Sequence, residues 1–236
     1  MRMHPGPGEP VAGPWRAVAP EACLAQWLGA VGARRPGRHV VAVDGRSGAG
    51  KSTLARRLQS CVAGSIVVSV DDIAWHAPMF GWAPLAAEGV LVPFRGGRPV
   101  RYRPPAWDVH ARPGHLEVNG DVSVLLLEGV GASQRALAEL IDVALWVQSD
   151  CATAERLGIA RDIASGVNGD DDASVAFWHA WMAEENPFLA RDRPWTRADL
   201  VVAGVGVDVL DDPARLMVAP PPVLADVVPA VEAPDE

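Results

Sequence analysis

Eight consecutive residues, Gly45-Arg46-Ser47-Gly48-Ala49-Gly50-Lys51-Ser52, match the pattern G-x-x-x-x-G-K-[ST] at every position. The spacing has a physical reason. Glycines let the backbone curl until successive N–H groups point inward at an anion. The helix that follows aims its positive end at the same point. Gly45, Ser47, Gly48, Ala49 and Gly50 therefore supply the cradle, and Thr53 continues it into the helix. Lys51 is placed to reach β- and γ-phosphates, and the Ser52 hydroxyl to ligate Mg²⁺. The loop sits between an apolar run, HVVAVDG at 39–45, and a helical stretch from 51 to 60, which is the context the motif requires.

Lys51 stands out for a second reason. Of the 21 Lys and Arg residues it is the only lysine. In so arginine-rich a chain, one retained ammonium marks a site that needs a compact point charge and not a planar fork.

Acidic residues close two of the apolar runs. Asp71 and Asp72 end SIVVSVDD at 65–72, and Glu128 ends the run within DVSVLLLEG at 121–129. In doubly wound folds, chemistry gathers beyond the carboxyl ends of the strands. Glu128 suits a Mg²⁺-holding role, and Asp71 can hold the metal or accept a proton from an attacking hydroxyl. Asp72 either contributes directly to substrate binding or caps the next turn.

The elements that would position these groups alternate. Apolar runs at 39–45, 65–72, 121–129, 142–148 and 197–204 are separated by helical patterns, which means a parallel sheet covered on both faces. A leading helix is expected over 21–35. Residues 74–120 carry Pro, Trp and Gly with little periodicity, an insertion of the kind usually tied to function. Trp75, Trp82 and Trp107 lie in it, where rings could stack on an acceptor. Helices are expected near 132–140, at 151–164 and at about 173–185. The last puts Trp178, Trp181 and Met182 on one face, at core spacing. Segments 1–20 and 212–236 read as disordered, leaving a domain over 21–211.

Composition limits the partners. With 236 residues and 49% hydrophobic content, one sizeable core is expected. A net charge of −8 disfavours nucleic acid and anionic membranes, so phosphate binding must be local. Cys23, Cys61 and Cys151 have no metal-ligand or disulfide spacing. No signal peptide or membrane span is read, so a cytoplasmic protein is expected. The leading helix and the tryptophans permit a homodimer. Arg95, Arg98, Arg101 and Arg103 could draw an anionic acceptor or form a solvated loop.

The ordered set GRSGAGKST, VSVDD, LLLEGV and RLGIARD, with FWHAWMAEE and RADLVVAG after it, resembles the uridine kinase branch of P-loop kinases, its actinobacterial relatives in particular. The resemblance spans about residues 39–206. It implies a three-layer α/β/α fold with five parallel strands ordered 2-3-1-4-5. It also implies transfer of the γ-phosphoryl group of ATP (or GTP) with Mg²⁺ to a hydroxyl, that of uridine or cytidine above all. Asp71 matches the family's catalytic carboxylate and Glu128 its magnesium-associated glutamate. Arg156 and Arg161 fall on a lid over about 150–172; five positions apart, they do not share a helical face, and Arg161 is the one expected at phosphate. Tyr102 falls where the family contacts the nucleobase. DDIAW and the Trp/Pro insertion depart from the family pattern. This leaves open a kinase for an antibiotic or another hydroxylated metabolite, and a nucleotide-binding regulatory or scaffold protein.

Overall fold

The structure is a computed structural model and describes residues 3–32, 37–207 and 214–222. Its elements begin with β1 (Arg16–Val18), α1 (Pro20–Gly32), β2 (His39–Gly45), α2 (Lys51–Cys61), β3 (Ser65–Ser69) and α3 (Val70–Ala74). A helical run follows: α4 (Ala83–Ala86), a π segment (Ala87–Leu91) and α5 (Val92–Arg95). Then come β4 (Val100–Tyr102), α6 (Pro105–Val109), β5 (Leu116–Val118), β6 (Val124–Glu128) and β7 (Val143–Gln148). The chain continues with α7 (Cys151–Ser165), α8 (Asp171–Asp192), β8 (Leu200–Ala203) and β9 (Leu216–Ala219).

Among the described residues, seven strands form one sheet in the order β1-β9-β8-β7-β2-β6-β3. The pairings β8-β7, β7-β2, β2-β6 and β6-β3 are all parallel. Numbered by sequence, those five strands run 2-3-1-4-5, as the resemblance implied. β6 and β7 are buried at every position, because strands covered on both faces cannot carry polar side chains outward.

Alternation along β2 divides the core into layers. Val41 and Val43 face α1 and α2, packing with Leu24, Leu54 and Leu58. Val40 and Ala42 face the other way, toward Ile73 of α3 and Ala86, Leu91 and Phe94 of the insertion. A third cluster, Trp146, Phe188, Leu189 and Trp195, seats the end of α8 on the sheet. The result is a three-layer α/β/α domain.

Several expectations need correction. The sheet has two more strands than the five expected, and they run antiparallel: β9 on β8, and β1 on β9. Residues 3–18 are therefore not an unstructured segment, and 216–219, expected within a disordered tail, form a strand. Leu216, Val218 and Ala219 are buried, which explains why so short a piece can pair. Of the rest of the expected tail, 212–213 and 223–236 lie outside the described residues, as do 33–35 of the expected leading helix. The strand expected to reach Asp72 stops at Ser69, whose Oγ accepts a hydrogen bond from Asp71 N at 3.3 Å and so starts α3. The insertion has its own architecture: the helical run from 83 to 95 and a β4–β5 hairpin, with Val100 opposite Val118. The helix expected near 132–140 is a 3-10 helix, Arg135–Leu140. No helix among the described residues is long and apolar enough to cross a membrane.

Candidate active site

The phosphate-loop sequence turns between β2 and α2, beneath the start of α7. Gly45 has φ 155°, and a Cβ there would meet Val147 O of the neighbouring strand at 2.7 Å. Gly48 has φ 73°, and its Cβ would meet Ala154 O of α7 at 2.3 Å. Only glycine fits two backbones this close. Lys51 opens α2, is buried, and donates from Nζ to the Arg46 carbonyl at 2.9 Å.

The neighbouring strands bring acids to the same place. Ser52 Oγ donates to Glu128 Oε1 at 3.1 Å, joining the start of α2 to the end of β6. Burial raises the Glu128 pKa, and the Asp71 charge adds to that; Lys51, the Ser52 hydrogen bond and Arg56 oppose it. Asp71 is exposed on the first turn of α3. Together Ser47, Lys51, Ser52, Asp71, Glu128 and Arg161 line a cleft of about 210 Å³. Its outer wall is aromatic and comes from α8: Phe177, Trp178 and Trp181. The Phe177 and Trp181 rings stack at 6.5 Å between centroids.

The cleft continues along the loop. Gly50, Thr53, Arg56, Leu157, Arg161 and Val205 line a second cavity of about 300 Å³. Ala49, Thr53, Leu54, Arg57, Val202, Val205 and Leu216 line a third, of about 230 Å³ and mostly apolar. The second cavity shares Lys51, Ser52 and Arg161 with the first and Gly50, Thr53 and Val205 with the third, so the three follow one another along the loop as a groove from Asp71 toward β9.

The remaining sequence candidates lie elsewhere. Asp72 is ion-paired with Arg112, and its carbonyl accepts from Trp107 Nε1 at 2.9 Å. The Arg112 guanidinium lies over the Trp107 ring, 3.9 Å from its centroid. Trp82 is 2% exposed and Trp107 4% exposed, so neither presents a face to an acceptor. The Tyr102 ring lies on Gly89, where a Cβ would meet it at 2.4 Å. Burial, with the Glu88 charge, raises the Tyr102 pKa. These side chains are consumed in folding the insertion on itself and onto the sheet. Arg156 is exposed and lines none of the three cavities, whereas Arg161 lines two. Arg161 pairs with its neighbour Asp162, Nη2 to Oδ1, at 2.7 Å. Arg95 pairs with Asp142 and Arg103 with Asp108, away from the groove.

Several residues around the loop carried no sequence signal for the site. Asp44 is fully buried and accepts hydrogen bonds from Gly45 N, Gly131 N, Ser133 N and Ser133 Oγ, at 2.7 to 2.9 Å. It ties the start of the phosphate loop to the loop after β6, and burial raises its pKa. Arg46 is also buried, donating to Glu9 Oε2 at 3.1 Å, Asn186 Oδ1 at 2.8 Å and Pro7 O at 3.0 Å. Glu9 in turn accepts from Trp146 Nε1 at 2.6 Å and Gln148 Nε2 at 2.8 Å. Phe177 and Trp181 stand one helical turn apart, a spacing that core packing shares.

Asp150 starts α7: its Oδ1 accepts from Thr153 N at 2.9 Å and its Oδ2 from His4 N at 3.2 Å. The Thr153 amide first, then the His4 amide, hold its carboxyl below the ordinary 3.8. A depressed folded-state pKa stabilises above the unfolded value and stops doing so as pH falls through the folded one. Asp150→Ala is expected to cost about 1 kcal/mol at neutral pH, a typical cap contribution. That cost should shrink in urea melts as pH drops below the ordinary aspartate range; a cost independent of pH would contradict this account.

No family model matches the sequence, and no curated protein does. Solved structures do. A candidate fructose transport system kinase from Silicibacter sp. TM1040 is 22% identical and has a TM-score of 0.51, covering 73% of this chain and 92% of its own. A candidate uridine kinase from Bacillus stearothermophilus is 17% identical with a TM-score of 0.45, over 77% of this chain and 96% of its own. The first likeness is one of fold: the three-layer α/β/α architecture with a mostly parallel central sheet is shared.

Proposed function

We propose that this chain is an ATP- and Mg²⁺-dependent phosphotransferase that passes the γ-phosphoryl group to a hydroxyl of a small molecule. One observation carries the reading: Asp71, Lys51 and the Ser52–Glu128 pair face a single cleft, at the end of the groove farthest from β9. A protein that only bound nucleotide would have less use for an exposed carboxylate at that end.

The Ser47 amide, expected in the cradle, is engaged by Glu185, so the triphosphate lies along the loop amides from Gly48 onward and the start of α2, with the base in the apolar cavity between Leu54 and Leu216. The Ser52 hydroxyl and the Glu128 carboxylate are hard oxygen donors, and they fit Mg²⁺ shared with phosphate oxygens better than an all-protein cage. Among the described residues no cluster of three His, Cys, Asp or Glu could hold a metal alone. When bound, Mg²⁺ would offset charge on the β- and γ-phosphates.

Lys51, keeping one N–H on the Arg46 carbonyl, turns its other two donors to the phosphates, and Arg161 adds charge from α7. Asp71 accepts the proton of the acceptor hydroxyl as its oxygen bonds to phosphorus and ADP departs. The acceptor packs on Phe177 and Trp181, which suits a ring-bearing molecule. The resemblance to uridine kinases makes a uridine- or cytidine-like nucleoside the first choice. With Trp82, Tyr102 and Trp107 engaged elsewhere, another hydroxylated metabolite fits the same aromatic wall.

The donor half is tested by titrating ATP with and without Mg²⁺ into wild type and Lys51→Ala. Binding should strengthen with Mg²⁺, and the variant should lose about a hundredfold, as expected for hydrogen bonds between charged groups. Equal affinity for the two proteins would remove Lys51 from the site.

A further inference from the structure

We infer that Glu185 is a positioning residue that sets where the Lys51 ammonium stands. The inference rests on the phosphotransferase reading above. Glu185 lies on α8 with no exposed surface. Its carboxylate oxygens accept from the Ser47 amide at 3.2 and 3.3 Å, and Oε2 also accepts from Trp181 Nε1 at 2.6 Å.

The Ser47 N–H and the Arg46 C=O belong to one peptide group, and that carbonyl accepts from Lys51 Nζ at 2.9 Å. A peptide group is planar, with its N–H and C=O pointing in opposite directions. Holding the N–H therefore aims the carbonyl. A carboxylate on the N–H also polarises the group, strengthening the carbonyl as an acceptor for the ammonium. Asn186, the next residue on α8, holds the Arg46 side chain at 2.8 Å, so both the backbone and the side chain of this stretch are anchored to one helix. The other ligand of Glu185 is an indole that lines the cleft. Contact between an acceptor and Trp181 thus reaches Lys51 through a single carboxylate and a single peptide group.

Lys51 stands at the Asp71 end of the groove, so misplacing it should cost ATP, with its terminal phosphate, more than ADP. The experiment is calorimetric titration of the full chain with ATP·Mg²⁺ and ADP·Mg²⁺, comparing wild type, Glu185→Ala, Glu185→Gln and Trp181→Phe. Glu185→Ala should weaken ATP about tenfold and ADP less than about threefold, the scale of one lost charged hydrogen bond. Glu185→Gln keeps an oxygen for the Ser47 amide and should restore most of the ATP preference. Trp181→Phe removes the indole N–H with part of the ring while keeping an aromatic face, and should shift the preference in the same sense, by about threefold.

Equal weakening of both nucleotides, or none, would overturn the inference, since a purely structural role has no reason to distinguish them. If circular dichroism shows that Glu185→Ala does not fold, Trp181→Phe decides: an unchanged ATP preference overturns the inference. Wild type that binds neither nucleotide is a different result, which removes the phosphotransferase reading itself.

Discussion

Asp71→Asn is expected to keep ATP·Mg²⁺ affinity within about threefold of wild type and to lose about a thousandfold in acceptor-dependent turnover, the middle of the range for general base catalysis. The two effects separate because of where Asp71 stands. It is exposed on the first turn of α3, its amide held by Ser69 Oγ at 3.3 Å, with its carboxyl open to the cleft. Asparagine preserves that backbone contact and the side-chain volume, but it cannot take a proton. Direct titration with ATP·Mg²⁺ reads the first effect, and turnover at saturating nucleotide reads the second. Full turnover in Asp71→Asn would show that another group accepts the proton.

The second large effect lies behind the phosphate loop. Glu9→Ala is expected to cost about 3–5 kcal/mol of stability, because it strands a buried guanidinium. Arg46 would keep Asn186 and Pro7 O but lose its only ion-pair partner among the described residues. Trp146 Nε1 and Gln148 Nε2 would lose their shared acceptor as well. Burial raises the Glu9 pKa despite Arg46, a measure of how thoroughly the pair is removed from water. Removing both members, as Glu9→Ala with Arg46→Met, should recover part of the loss, since no charge is then buried alone. Urea melts of the single and double variants give the coupling directly. A single variant within about 1 kcal/mol of wild type would place Glu9 at the surface in solution.

This second effect also shows what sequence reading could not reach. The phosphate loop is encoded within eight residues and is legible without any fold. The central strands are equally local signals: VVAV, VLLL and VALWV are runs that only a doubly covered sheet accommodates. The Glu9–Arg46 contact joins residues 37 positions apart and has no periodicity at all. β1 and β9 are three and four residues long and stand among prolines, so their apolar alternation is too brief to separate from a loop.

Aromatic residues misled in both directions. Trp82 and Trp107, in a segment without clear periodicity, suggested an acceptor surface, and the resemblance added Tyr102, yet a ring that builds core has the same sequence appearance as one that meets a ligand. Phe177 and Trp181 line the cleft from a helix whose spacing suggested packing alone. Trp178, beside them, does both: it packs so closely on α7 that a Cβ on Gly158 would stand 2.1 Å from its ring. That helix also runs on past Pro187 to Asp192, beyond the expected end near 185, so Asn186 is helical too and joins Glu185 at the phosphate loop.

The most direct test of the account is ADP release from ATP·Mg²⁺ by the full chain, coupled to an optical readout, across uridine, cytidine, other nucleosides and neutral hydroxylated metabolites. The account predicts release that depends on one of these acceptors, yields its phosphate ester in equal amount, and disappears in Asp71→Asn. Folded protein that binds ATP·Mg²⁺ but releases ADP at the same rate with and without every acceptor would contradict it.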